Sequence, residues 1–412
     1  MGGNAAAIDR ATGEVINFDG RPAYADKINL KKVDRSAFKR DMIAAFLALN
    51  SLYEKKFEEP IWDKDVLPEL MSGDAFNGSS EHLFGSMSDE EFLKHKAMVG
   101  DIDLTVPGEK LSSIFELLSG LEGQSISPRI SYVGQNKFDQ HGHQINSLFA
   151  YEVPGAKKRA LVQVDFEGVN YDASGKPDEF AKFGHSSAWE DIQEGIKGVA
   201  HKYLLRSLAK SISFRKDVVL LTDKSPLSPP EKIKIAKSSI DGTHLLAFSV
   251  DLGIRSNAEQ QFLPDGSPLM IGGKFAFKAL PTEKSSYIKT RKGVFQALFK
   301  LDPNNEELQM LNSFVGCLRL LKKYADESIV NATYLDLLKD KLFGKGSQRL
   351  DASDPEADRS VKMTLVARMK KEFPQLEKFD TELEKLSGEY YSSYKTREMI
   401  ESIIRQYVKE FL

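Results

Sequence analysis

Hydrophobic positions recur along this chain with two different periods, and the change from one to the other marks its organisation. From Arg35 to about Lys56, Phe38, Met42, Ala45, Phe46 and Leu49 fall at three- and four-residue steps, which predicts an amphipathic helix. A second helix is expected over Trp62–Met71, ending near Gly73. A third is expected over Lys110–Leu121, where Leu111, Ile114, Phe115 and Leu118 share a face. Further on the period drops to two. PRISYVG, NSLFAYEVPG and ALVQVDFEGV read as strands, the last with Val162, Val164 and Phe166 on one side and Gln163, Asp165 and Glu167 on the other. Ser187 is expected to cap a long helix running from Trp189 to Ser211.

Residues 1–35, broken by Gly13, Gly20 and Pro22, read as a loose or strand-like N-terminal arm. Strand-like runs return between 214 and 290 (DVVLLTD, HLLAFSVDLGI, GGKFAFKAL), and helical periodicity dominates from Gly293, interrupted by the polar stretch GKGSQRLDASDPEADRS. The expected architecture is an α/β (α+β) catalytic domain over 36–212, a mixed sheet with flanking helices. A β-containing module over 213–292 and a helical C-terminal region over 293–412 follow it.

Composition narrows the function classes. Among 412 residues, 57 Lys and Arg face 60 Asp and Glu, a net charge of −3, which excludes a generally basic coat for nucleic acid and leaves room for a local basic groove. The single cysteine, Cys317, removes any intramolecular disulfide and any cysteine zinc cluster, and its apolar helical surroundings make it a core residue. With no apolar run near the ~20 residues that span a bilayer and no secretory signal, the expectation is a cytoplasmic protein without a membrane partner.

The chemistry concentrates between Phe84 and Asp165. In a strand, Asp101 and Asp103 project to one side while Ile102 and Leu104 face a core. Two carboxylates so close stay ionised cheaply only with a cation between them, and a hard divalent ion, Mg²⁺ or Mn²⁺, suits oxygen ligands. Asp165, mid-strand between Val164 and Phe166, supplies a third acid, with Glu152 and Glu167 as competitors for that place. Upstream, Phe84-Gly85-Ser86 reads as a strand ending in a tight turn before a helix, where backbone N–H groups and a hydroxyl would cradle phosphate.

An apolar residue and Gly-Ser, a helix, an acid–apolar–acid strand and a later acid on a separate strand together resemble the DNA polymerase β-like nucleotidyltransferase superfamily. The residues that carry the likeness are Gly85, Ser86, Asp101, Asp103 and Asp165, within about residues 75–210. What the resemblance implies is two-metal transfer of a nucleoside monophosphate from an NTP to an acceptor hydroxyl, with release of pyrophosphate. Asp101 and Asp103 would ligate both ions, Asp165 would ligate the catalytic one and help deprotonate the acceptor, and Gly85-Ser86 would hold the triphosphate. It also implies a basic side chain from the helix after the third acid, for which Lys197, Lys202 and Arg206 are the candidates; the plain alternative is a solvated helix face. The acceptor stays open between RNA or tRNA, a protein and a small molecule. A nucleotide- or nucleic-acid-binding protein without turnover, and a structural or assembly protein with incidental carboxylates, are the competing classes.

Overall fold

The parallel pairing of two strands, Asp101–Pro107 and Ala160–Val169, is the feature around which the first half of the chain is organised. The computed structural model describes residues 5–9, 11–139, 144–185, 187–196, 200–221, 243–249, 253–281, 286–343 and 365–379. The chain divides into two compact units, Met1–Gly198 and Val199–Leu412, taken here in turn.

In the first unit β1 (Asn17–Phe18) and β2 (Arg21–Pro22) form a small hairpin, and β3 (Ile28–Asn29) pairs with β4 (Met98–Val99). Helix α1 (Arg35–Phe57) is capped by Asp34, whose carboxylate accepts the Ala37 N–H at 2.8 Å. It buries Phe38, Met42, Ala45, Phe46 and Leu49, the stripe its sequence predicts, and adds Tyr53. The helix expected over Trp62–Met71 is not continuous: α2 (Leu67–Glu69) starts late and runs into a π turn, Leu70–Asp74. Trp62 is instead a buried anchor, its indole N–H donating to the Thr105 carbonyl at 3.2 Å. Two short helices follow, α3 (Gly78–Phe84) and α4 (Asp89–His95).

The sheet is built from β5 (Asp101–Pro107), β6 (Ser125–Ser127), β7 (Ile130–Asp139), β8 (Gln144–Tyr151) and β9 (Ala160–Val169), with α5 (Leu111–Ser119) between β5 and β6. Strand order is β5-β9-β8-β7-β6: β6 to β9 form an antiparallel meander, and its last strand, β9, lies parallel to β5. One face carries Ile102, Leu104, Val106, Val162, Val164 and Phe166 into a core with Phe38, Phe46, Phe76 and Phe84. On the other face Val133, Leu148, Ala150 and Leu161 are covered by Ala5, Ala7 and Ala23 of the N-terminal segment. Close approach requires small residues there; a Cβ on Gly134 would stand 3.1 Å from that of Ala7. The rest of that face carries the carboxylates.

After α6 (Glu179–His185) the expected long helix is broken. Helix α7 (Trp189–Gln193) has Ala188, not Ser187, at its N-cap, and Gly195 takes φ +70°, which ends it. Helix α8 (Ala200–Ile212) belongs to the second unit.

The second unit combines α8 with several small sheets. Val218–Leu221 runs parallel to Lys274–Ala279, while Leu246–Ser249, Gly253–Ser256 and Tyr287–Ile288 form a separate antiparallel sheet. Helices α9 (Arg291–Phe299), α10 (Asn305–Met310), α11 (Phe314–Tyr324) and α12 (Glu327–Phe343) follow. Asp336 on α12 ties α8 down, accepting from Lys210 Nζ at 2.9 Å and Ser207 Oγ at 2.8 Å. Cys317 is buried on α11, as its setting predicts. The interrupting polar stretch, from residue 344, and residues 380–412 lie outside the described residues. The described chain is thus mixed α/β with several small sheets and no barrel, and none of its helices is long and apolar enough to cross a membrane.

Candidate metal centre

Register decides which acids meet. In the β5–β9 pair Asp101 stands opposite Gln163, Asp103 opposite Asp165 and Thr105 opposite Glu167, all on the face away from the aromatic core. Asp101, Asp103 and Asp165 each turn a carboxylate oxygen into one cluster, all within 4.8 Å of one another, which could hold a metal ion. Glu152 takes no part. Exposed past the end of β8, it is six residues beyond Asn146, the partner of Asp165, a distance of about 20 Å at strand rise. Glu167 does lie on the shared face, where its carboxylate accepts from Asn77 Nδ2 at 2.6 Å.

The cluster is electrostatically loaded. Burial and the charges of Glu167, Asp101 and Asp165 push Asp103 well above the usual carboxylate range, while the Lys96 ammonium pulls the other way. Asp165 is raised to about 6, chiefly by burial, although two amides favour its charged form. Those amides are Asn146, donating to Oδ1 at 2.7 Å, and Gln163, donating to both oxygens at 2.9 Å. Gln163 is itself held, its carbonyl accepting the Ala5 N–H at 3.0 Å. Asp165 Oδ1 accepts from both amides, while Oδ2 accepts only from Gln163 and keeps a lone pair for a ligand. Oxygen donors packed this closely could hold a hard metal cation.

The Gly85-Ser86 turn is not part of this centre. The residues before it form helix α3 rather than a strand, with Gly85 as the C-cap and Ser86 exposed in the turn to α4. Along α3 that turn is about 10 Å from Gly78, which adjoins Asp103, at 1.5 Å per residue. Two basic side chains of α1 hold it in place. Buried Arg35 donates to the carbonyls of His82 (3.0 Å), Leu83 (2.9 Å) and Met87 (2.9 Å) and pairs with Asp89, while Lys39 Nζ donates to the Gly85 carbonyl at 2.7 Å.

A different Gly-Ser adjoins the acids. The chain from Ala75 to Ser80 runs beside β5, with Asn77 N–H donating to the Asp103 carbonyl (3.1 Å) and Asp103 N–H donating to Ser80 Oγ (3.1 Å). Gly78 takes φ +57° with its Cα so close that a Cβ would stand 2.7 Å from Asp103 Oδ2. Ser79 follows, its hydroxyl hydrogen-bonded by Lys96. Phe76-Asn77-Gly78-Ser79 carries a second Gly-Ser pair seven residues before Gly85-Ser86, with Asn77 between it and the apolar residue. The signal was therefore in the sequence; the spacing to Asp101 concealed it, because two short helices rather than one fill the interval.

Of the expected phosphate-side cations, Lys197 lies outside the described residues. Lys202 (buried) and Arg206 (exposed) both sit on α8 in the second unit. Lys96, which the pattern of the sequence did not single out, stands at the end of α4 beside Ser79. Trp189 locks this region: its ring packs against His82, Phe92 and His95 at 5.0, 5.7 and 5.9 Å, and its N–H donates to Glu91 at 3.1 Å. His82 Nε2 donates to the Ser187 carbonyl at 2.7 Å, fastening α3 to the segment before α7.

No family model, curated protein or solved structure matches the chain.

Proposed function

We propose that the chain is a metal-dependent nucleotidyltransferase of the DNA polymerase β-like kind. What supports this reading is one conjunction: three carboxylates converging from a parallel strand pair, with Gly78-Ser79 pressed against the second of them. Asp101, Asp103 and Asp165 would hold Mg²⁺ or Mn²⁺. Such ions, when bound, neutralise charge on the transferring and departing phosphates and make an acceptor oxygen a better nucleophile.

The chain's own residues orient and exchange the proton. Asp101 and Asp103 fix the triphosphate end of the centre against Gly78, where only a glycine lets the backbone approach so closely. Asp165, steadied by Asn146 and Gln163, would be the carboxylate that helps take up the acceptor's proton. In the reaction the acceptor oxygen forms a bond to the α-phosphorus. The bond from that phosphorus to the oxygen bridging to the β-phosphate breaks, and pyrophosphate leaves with the electron pair. The acceptor class (RNA or tRNA, a protein or a small molecule) is part of what the test identifies.

The test is label transfer from each α-labelled NTP with Mg²⁺ or Mn²⁺, with and without total RNA and cell extract, beside the Asp101→Asn/Asp103→Asn double variant. Label entering an acceptor with the parent chain and not with the variant is the expected result. Equal labelling by both rejects the reading. Metal-dependent NTP binding without label transfer in any fraction favours a nucleotide-binding protein without turnover.

A further inference from the structure

Asn77 stands where a helix ordinarily claims the side chain for itself. It is the N-cap of α3, a place at which asparagine accepts an N–H of the first turn, yet it makes no such bond. Buried as it is, its side chain turns away from the helix and donates to Glu167 at 2.6 Å. That bond crosses a strand. The antiparallel bridge between Phe76 and Leu104 sets Asn77 beside Asp103, whose carbonyl accepts the Asn77 N–H at 3.1 Å. Glu167 lies one strand further over, on β9, opposite Thr105. The two side chains therefore meet above β5, on the face that carries the acids, over a buried Thr105 whose hydroxyl donates to the Ala75 carbonyl at 2.9 Å.

Backbone bonds tie the Asn77–Ser80 segment to β5; the Asn77 side chain ties it to β9, the strand of Asp165. The next residue is Gly78, pressed so close that a Cβ would stand 2.7 Å from Asp103 Oδ2. Without the bond to Glu167, the Asn77 side chain returns to the cap it now forgoes, and Glu167 is released beside the three aspartates. Resting on the nucleotidyltransferase reading, we propose that Asn77 and Glu167 form a clasp that holds the Gly78-Ser79 turn in place to receive the triphosphate. Glu167 is on this account a positioning residue that acts through Asn77, and not a fourth cation ligand.

Tripolyphosphate, which lacks a base and a sugar, is the probe. Its binding with Mn²⁺, and that of Mn²⁺ alone, is measured by calorimetry, with urea denaturation as the check on folding. The chains compared are the parent, Asn77→Ser, Asn77→Asp, Glu167→Gln, the double variant Asn77→Asp/Glu167→Gln, and Asp101→Asn. Serine caps a helix well but is too short to reach Glu167, so Asn77→Ser keeps α3 capped and breaks the clasp. The expected result there is a loss of about tenfold in tripolyphosphate affinity, the effect of one hydrogen bond, with Mn²⁺ alone bound at least as tightly as by the parent. Glu167→Gln still accepts from Asn77 and should stay within a few-fold of the parent. Asn77→Asp sets two carboxylates against each other and should lose affinity as Asn77→Ser does. The double variant exchanges donor and acceptor at unchanged net charge and should recover it. Parental affinity in Asn77→Ser, no recovery in the double variant, or loss of Mn²⁺ binding in Glu167→Gln overturns the clasp while the parent still binds both ligands. The nucleotidyltransferase reading fails separately, and takes the clasp with it, if the parent binds neither Mn²⁺ nor tripolyphosphate or if Asp101→Asn binds both as the parent does.

Discussion

Replacing Asp165 by asparagine should stabilise the metal-free protein at neutral pH while abolishing its response to divalent cations. The carboxyl's pKa rises from 3.8 to about 6 on folding. Two units at 1.36 kcal/mol each make about 3 kcal/mol. The folded state holds this proton more tightly than the unfolded chain. Native stability is therefore undiminished below about pH 4, declines as pH rises toward 6, and above that carries the full penalty. Burial of Asp103 among the same charges adds to the trend.

Asparagine removes the charge and, with its oxygen kept in the Oδ1 place that Asn146 and Gln163 donate to, turns its N–H₂ toward the Gln163 donor at Oδ2, a mismatch costing about 1–2 kcal/mol. The net gain at about pH 7.5 is thus about 1–2 kcal/mol. A cation bound only by the folded parent chain and present at a hundredfold its Kd adds about 2.7 kcal/mol, and should add almost nothing to the variant. Urea denaturation of both proteins at about pH 5 and 7.5, in EDTA and in saturating Mn²⁺, reads all four quantities. An Asp165→Asn protein less stable than the parent in EDTA at the higher pH, or one stabilised by Mn²⁺ as strongly as the parent, would refute the reasoning.

Other substitutions separate the two Gly-Ser turns. Gly78→Ala should weaken Mn²⁺ binding at least tenfold, since its Cβ would stand 2.7 Å from Asp103 Oδ2 at a φ of +57°; calorimetry reads the change. Ser86→Ala, in the exposed α3–α4 turn, should leave tripolyphosphate affinity unchanged where Ser79→Ala lowers it, and the opposite order would restore Gly85-Ser86 as the phosphate turn. Arg35→Met orphans the His82, Leu83 and Met87 carbonyls and should cost about 3 kcal/mol in urea denaturation.

The sequence exposed the parts of this protein whose logic is periodic. The α1 stripe and the alternation of β9 both follow from which side must be buried, and they place Asp165 opposite the Asp101–Asp103 pair. It exposed less where a single residue decides the path. Gly195, at positive φ, ends a helix that composition would let run on from Trp189. The π turn at Leu70–Asp74 shifts the chain so that Phe76-Asn77 lies along β5, which brings Gly78 rather than Gly85 to the acids. Asn146, Gln163 and the Ala5 N–H were hidden for a different reason: amides carry no motif, and only the folded arrangement makes Asn146 and Gln163 donors to Asp165 and the Ala5 N–H a donor to Gln163.

The parallel β5–β9 pair has a consequence for how this chain finds its fold. Asp103 and Asp165 are far apart in sequence and meet only when their strands pair in one alignment. A slip of one residue would turn Val164 toward the other acids and bury Asp165 among the aromatic rings, because side chains alternate between faces. If the carboxylates hold a cation as proposed, a misaligned sheet would lack its site, and an aligned one would gain whatever free energy the cation supplies. Ions present during folding would act as proofreaders, deepening the correct basin without touching its competitors, and chain refolded in chelator should reach the aligned sheet in lower yield.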